Sequence, residues 1–183
     1  MKKFLVILLA VVAVGAFAFS LEDLKVSVFG NYNFVVSATS TTSDATAANY
    51  LDFGLDLTYP VAENMELGLG LGFAYLLGTD ATPLFSVDAT PSQNALDLFA
   101  VFKYSIELDR ESRVVIRGFG GPSWPMAKFD FGKFGWVFGV GASYTRDFEG
   151  LVVGLGAGVE MRIYEKNNVI AIPVGGGNFE INF

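Results

Sequence analysis

The stretch Met65-Glu66-Leu67-Gly68-Leu69-Gly70-Leu71-Gly72-Phe73-Ala74-Tyr75 alternates without a break. Successive side chains of a β-strand point to opposite faces, so a period of two sorts them cleanly. Met65, Leu67, Leu69, Leu71, Phe73 and Tyr75 fall on one face, and Glu66, Gly68, Gly70, Gly72 and Ala74 on the other. One face is apolar and uncharged; the other is small or polar.

The same grammar extends in both directions. Upstream, Val26, Val28, Tyr32 and Phe34 oppose Ser27, Phe29, Asn31 and Asn33. Leu51, Phe53, Leu55, Leu57 and Tyr59 oppose Asp52, Gly54, Asp56 and Thr58. Downstream, Leu96, Leu98, Ala100, Phe102, Tyr104 and Ile106 oppose Asp97, Lys103 and Ser105. A fifth run, Arg113 to Gly120, sets Val114 and Ile116 against Arg113, Val115, Arg117 and Phe119, and is the weakest pattern. In the sixth, Phe134, Trp136, Phe138, Val140, Ala142 and Tyr144 oppose Gly135, Val137, Gly139, Gly141, Ser143 and Thr145. The seventh sets Leu151, Val153, Leu155, Ala157, Val159, Met161 and Ile163 against Gly154, Gly156, Gly158, Glu160 and Arg162. Val169 to Phe183 is the last, with Pro173 through Gly177 read as a bulge or an irregular segment.

The connections alternate in length. Ser37 to Asn49, Gly78 to Asn94 and Gly121 to Lys133 read as long polar loops; Pro60 to Asn64, Glu107 to Ser112 and Arg146 to Gly150 read as tight turns. The last link, Glu165 to Asn168, is short and breaks the pattern. This asymmetry and an even strand count predict an all-β, eight-stranded antiparallel up-and-down transmembrane β-barrel. A soluble barrel would turn its apolar face inward and its charges outward. Here one face carries Leu, Val, Phe and Tyr without charge across the middle, as a lipid-facing exterior requires. A two-sheet sandwich also buries one face per strand and stays open as an alternative, though its exposed face would carry more charge and fewer glycines.

Composition sets the same bounds. The 183 residues are 52% hydrophobic, with 21 Gly, 18 Phe, no Cys and no His. Past the N-terminus no run approaches the ~18 apolar residues of a spanning helix, which leaves the closed barrel as the membrane solution. Lys2 and Lys3, the apolar Phe4 to Val14 and the small-x-small Ala16-Phe17-Ala18 read as a Sec-type signal peptide over 1–18, with the barrel over 19–183. The alternative is an uncleaved anchor. Losing Lys2 and Lys3 takes the formal charge from −7 to −9, a poor balance for nucleic acid. Without Cys there is no disulfide framework and no thiol for lipid attachment.

Tyr59, Tyr104 and Tyr144 fall beside the short turns, and Tyr32, Tyr75, Trp124 and Trp136 toward the long loops. Together they read as two interfacial girdles, although any single one reads equally as packing.

The C-terminus alternates Phe179, Ile181 and Phe183 with Asn178, Glu180 and Asn182, and ends on the aromatic residue. This resembles the terminal strand of bacterial outer-membrane proteins, which the barrel-assembly machinery reads as an insertion signal. With the strand plan, the chain from residue 19 resembles the small eight-stranded barrels of the OmpA, OmpX and OmpW type, and Val26 to Phe34 reads like their first strand. The resemblance rests on pattern, not on a diagnostic motif, and nothing resembles the peptidoglycan-binding domain of OmpA. It implies an integral protein of the bacterial outer membrane. The enzymes known on this architecture imply an active-site His, which this chain lacks.

The residues offer little chemistry of their own. Without His, mechanisms that need an imidazole base are excluded, and only carboxylates remain for a transition metal. No catalytic, cofactor or metal site is expected. Asp52 and Asp56 sit roughly 13 Å apart along a strand, too far for a glycosidase pair. Asp52, Asp56, Asp97 and Glu160 are instead expected to pair with Lys103, Arg113, Arg117 and Arg162 inside a narrow barrel, because buried charges must be partnered. Glu160 and Arg162 are about 7 Å apart on one face. The alternative is a lumen that selects solutes by charge. Gly68 to Gly72 and Gly154 to Gly158 do not match GxGxxG; inward Gly leaves room for long groups such as Arg117, Arg162, Phe29 and Phe119, or lines a cavity if those groups do not fill it. Asp80-Ala81-Thr82-Pro83 and Asp88-Ala89-Thr90-Pro91 read as turn chemistry. Leu84, Phe85 and Val87 between them are apolar for a loop, placed either over the barrel mouth or against lipid or a partner.

The function expected is therefore a non-enzymatic, envelope-structural or surface-contact barrel with a largely side-chain-filled lumen. Its partners would be outer-membrane lipid, the assembly machinery and a surface ligand met through the loops. The alternative is a narrow pore for small or apolar solutes; an adhesin using the Ser/Thr-rich loops is a third reading.

Overall fold

The computed structural model describes residues 23–40, 48–77, 85–87, 90–128, 130–149, 151–165, 167–175 and 179–182. The expected signal peptide, the Asp80 and Asp88 repeats in large part, and Phe183 lie outside them. The chain forms β1 (Lys25–Ser40), β2 (Tyr50–Ala62), β3 (Met65–Leu76), a small hairpin of β4 (Phe85–Val87) and β5 (Thr90–Ser92), then β6 (Asn94–Glu107), β7 (Ser112–Pro125), β8 (Gly135–Phe148), β9 (Leu151–Ile163), β10 (Asn167–Gly175) and β11 (Phe179–Asn182).

Each long strand pairs antiparallel with the next, and β10 and β11 both pair with β1 as well as β9. The sheet closes on itself: β10 and β11 are two pieces of one eighth strand, and the expected eight-stranded up-and-down barrel is what forms. Among the described residues, closure pairs both edges of this main sheet. Lys25 pairs with Asn182, which sets the first and last strands side by side at the short-turn end.

The alternation predicted from sequence is the alternation seen. Ser27, Phe29 and Asn33 are buried while Val28 and Phe34 are exposed; Asp52, Asp56 and Thr58 are buried while Leu51, Phe53, Leu55 and Leu57 are exposed. The exposed outer rows include Leu69, Tyr104, Phe138, Val140, Leu155, Val159, Ile170 and Ile172, with Val114 and Ile116 of β7 half-buried on the same side. Arg146, at the turn end of β8, is the one charged side chain in these rows among the described residues.

Several strand boundaries differ from the sequence reading: β1 runs to Ser40, into the expected loop from Ser37, β8 runs to Phe148, into the expected turn from Arg146, and β7 differs at proline. The strand expected to end at Gly120 runs on to Pro125, so the third loop is shorter than Gly121 to Lys133. Proline has no N–H for the ladder and usually ends a central strand. Here β7–β8 pairing continues through Pro122↔Trp136, while β6–β7 pairing lapses between Asp97↔Ser123 and Ala100↔Gly120, beside Pro122. Pro173 is housed the same way: β9–β10 pairing lapses between Ala171↔Glu160 and Val174↔Ala157.

The irregularity expected near Pro173 to Gly177 has a register signature. Asn31↔Gly175 and Val28↔Phe179 bracket residues 176–178, and the register differs by one residue across them. A one-residue shift exchanges the faces of a strand. Phe179 is thereby the register partner of Val28 and Ile181 that of Val26.

Candidate functional site

The barrel interior is the candidate site, and it is built in layers. Toward the long loops, Arg162 of β9 donates to Asp97 of β6 through both terminal nitrogens, Nη1 to Oδ1 at 3.1 Å and Nη2 to Oδ2 at 2.8 Å. Its Nε donates to Glu160 at 2.6 Å, and Nη1 reaches Ser123 Oγ at 3.4 Å. Tyr50 donates its hydroxyl to the same Glu160 oxygen at 2.7 Å, and the Tyr164 and Ser123 hydroxyls lie 2.6 Å apart. A planar guanidinium with a fixed fork of donors suits this multi-point pairing; an ammonium would not.

Phe85 closes this layer from above. Its ring packs against Tyr50 and Tyr164 at centroid distances of 5.6 and 5.9 Å, and the Arg162 guanidinium stands 5.3 Å from it. Of the two placements open to the β4–β5 loop, Phe85 takes the barrel mouth. Arg162, Glu160, Tyr50, Phe85 and Leu76 are all at most 1% exposed at this level.

A second layer lies toward the short turns. Arg117 of β7 makes a two-point pair with Asp56 of β2, Nε to Oδ2 at 2.8 Å and Nη2 to Oδ1 at 2.9 Å. Lys103 approaches Asp56 at 3.2 Å and donates to Ser27. The Arg117 guanidinium lies 4.4 to 5.3 Å from the rings of Phe29, Phe99 and Phe119. Aromatic faces hold a cation whose fork is already engaged. Nearer the turns, Glu66 accepts from Lys25 at 2.6 Å and from Thr58 at 2.8 Å.

The inward glycines serve both purposes left open by the sequence. A Cβ on Gly70 would lie 2.0 Å from the Phe99 ring, and one on Gly139 2.4 Å from Phe119. These glycines make room for rings. Gly141, Gly156, Gly158 and Gly175 instead line a cavity of about 60 Å³ between the two layers, with Asn31, Arg117 and Glu160 on its wall.

The expected charge set is thus distributed over separate positions. Asp97, Glu160 and Arg162 meet in one layer; Asp56, Lys103 and Arg117 meet in the other. Asp52 is buried beside Asn31 and Asn33, and among the described residues no ion pair joins it to a cation. Arg113 stands at the short-turn end beside Glu107, Glu111 and Asp147. Sequence reasoning passed over Tyr50, Tyr164, Glu66, Lys25 and Phe99. Each shares its parity with the inward residues of its own strand or strand end, so period two was the signal that could have found them.

The aromatic positions divide between the two ends. Tyr59, Tyr104 and Tyr144 stand at the short-turn ends, with Tyr104 paired to Met65 and Tyr144 to Val114. Tyr32 and Tyr75 both pair with Leu51, next to the loop end of β2, and Trp136, the second residue of β8, stands opposite Pro122.

Fold and interior together define an eight-stranded, up-and-down β-barrel with paired charges across its lumen. No family model matches the chain, and no curated protein matches it. Among solved structures the chain is similar to Ail, the attachment invasion locus protein of Yersinia pestis, at 8% identity over 86% of this chain and 98% of that one, with a TM-score of 0.41. A structure of the same protein in complex with the heparin analogue sucrose octasulfate is similar at 10% identity over 87% and 99%, with a TM-score of 0.40.

Proposed function

We propose that this is a non-enzymatic, integral barrel of the bacterial outer membrane, exported through a Sec-type signal peptide and serving envelope structure or surface contact. The observation that carries the reading is an exposed apolar wall, charged only at Arg146 among the described residues, around an interior in which Arg162 and its partners are buried. A wall of Leu, Val and Phe this extensive is unfavourable in water and suited to hydrocarbon. Lipid and, during insertion, the barrel-assembly machinery are the partners; a surface ligand would meet the long loops. A narrow pore is the second reading, supported by the glycine-lined cavity beside the Arg162 layer.

The test is a single-channel recording of refolded protein in a planar bilayer. The expected result is detergent-dependent solubility, heat-modifiable gel mobility and no steady conductance. Steady conductance steps overturn the closed-lumen reading in favour of the pore, and a protein soluble without detergent overturns the membrane reading.

A further inference from the structure

The connection from β7 to β8 carries a line of aromatic rings on the outside of the barrel. Ser123 points into the lumen, where its hydroxyl meets that of Tyr164, so its neighbour Trp124 belongs to the outer face. Yet Trp124 is only 9% exposed. Phe131 and Phe134 cover it, with ring centroids 6.0 and 5.9 Å away. The line continues down the outer row of β8: Phe134 lies 5.4 Å from Trp136, and Trp136 stacks on Phe138 at 6.1 Å. The rings run unbroken from the wall into the loop.

The tip of this loop has a defined turn. Gly132 N–H donates to Asp130 Oδ1 at 2.9 Å, and Lys133 N–H to the Asp130 carbonyl at 3.0 Å. The turn presents Phe131 at 63% exposure, with Phe134, Trp136 and Phe138 exposed beside it. The flanking strands turn polar at this height. Trp136 pairs with Ile163, and Trp124 with Leu96. Two positions nearer the loops stand exposed Glu165, after β9, and Asn94, at the start of β6. The apolar outer surface therefore reaches further toward the loops on the β7–β8 side than on either neighbouring strand.

We propose that this aromatic turn docks on the membrane surface, with Phe131 and Phe134 seated among the upper acyl chains at the headgroup border. Continuity names the occupant: the ridge is the loop-side end of the apolar wall, and the inference rests on the reading of that wall as lipid-facing. Exposed apolar rings on a surface element are the groups that enter the headgroup and acyl boundary. A protein partner fits less well. The ridge is a single file of rings, whereas a stable interface takes about 20–30 residues a side. The β7–β8 loop then serves as an anchor that fixes the barrel's height in the bilayer, and contact with a surface ligand falls to the loops after β1 and β3.

The chain has no Cys, so one substitution gives one attachment point for a nitroxide. Phe131→Cys is compared with Phe138→Cys in the wall and Arg110→Cys in the exposed turn after β6, each refolded into phosphatidylcholine vesicles. Relaxation is measured with oxygen, which concentrates in lipid, and with a neutral nickel chelate, which stays in water. The label at 131 is expected to favour oxygen as the label at 138 does, with an oxygen-to-chelate ratio several times that at 110. A label at 131 that follows 110 while 138 favours oxygen places the loop in water; it overturns the proposal and leaves the membrane reading standing. A label at 131 reached by neither reagent shows that a second copy covers the ridge, and also overturns it. Chelate access at 138 as well overturns the proposal together with the membrane reading. If Phe131→Cys does not refold, Phe134→Cys takes its place with the same outcomes.

Discussion

Arg162 and Asp97, 65 positions apart in the chain, meet across the barrel through two hydrogen bonds of 3.1 and 2.8 Å. Both side chains are at most 3% exposed. The contact joins β9 to β6, strands that are not neighbours in the sheet, so it crosses the lumen.

Breaking this pair leaves carboxylates buried without their cation. Arg162→Ala is expected to cost roughly 3–5 kcal/mol, the usual penalty for orphaning a buried charge. Arg162→Lys keeps the charge but loses the two-point geometry, and should fall between it and the unaltered chain. Urea midpoints of the refolded proteins give the order.

Phe85 is wholly buried although it belongs to a hairpin between strands. Phe85→Ala should cost about 3 kcal/mol through the lost ring and the cavity left behind. The hairpin would then be held less firmly, so limited proteolysis between β3 and β6 should quicken. Unchanged cleavage would show that the ring does not anchor the hairpin.

Two glycines of the wall should respond oppositely to the same change. Gly70→Ala brings a methyl group 2.0 Å from Phe99 and should cost about 1–3 kcal/mol by overpacking. Gly118→Ala meets nothing within 4 Å and should be neutral or stabilising by about 0.4–1 kcal/mol, since alanine restricts the unfolded chain. Comparing their urea midpoints tests whether Phe99 fills the space that Gly70 leaves.

Phe148↔Leu151 closes the β8–β9 hairpin, and Glu149 adopts φ 55°. That left-handed conformation is costly for a residue with a Cβ and suits Gly or Asn. Glu149→Gly or Glu149→Asn should stabilise by about 0.5–1 kcal/mol, read as a higher urea midpoint.

Asp109, in the exposed turn between β6 and β7, accepts from the backbone N–H groups of Glu111 at 2.9 Å and Ser112 at 2.7 Å. The Glu111 N–H foremost, then that of Ser112, holds its carboxyl below the usual range. A depressed value in the folded state means that its contribution is present above the unfolded pKa and lost as pH falls through the folded one. The stability gap between the unaltered chain and Asp109→Ala should therefore be constant near neutrality and shrink in acid. A gap that persists under acid conditions contradicts the assignment.

Much of this barrel was legible along the chain. The inward positions of Asp52, Asp56, Asp97, Glu160 and Arg162 follow from period two alone, because side-chain direction in a strand is local. Strand β7 was read short, since Pro122 ordinarily ends a strand; its accommodation depends on a lapse in the neighbouring ladder, which belongs to two strands at once. Tyr50 and Tyr164 were passed over because each stands at a strand end, where alternation gives the weakest signal. Phe85 carried only an anomaly, an apolar residue in a loop, and its direction depended on the mouth beneath it.

The sequence by itself determined the strand count, the face each side chain takes and the alternation of long and short connections, because each is set by neighbours a few residues away. The tertiary structure decided which inward groups meet. Tyr50 reaches Glu160 across 110 positions, and Arg117 finds Asp56 across 61. Those pairings depend on how strands stagger when the sheet closes. The same closure placed Phe99 over Gly70 and left a cavity of about 60 Å³ along Gly141, Gly156 and Gly158, since which side chain reaches a glycine depends on how the strands stagger as the sheet closes.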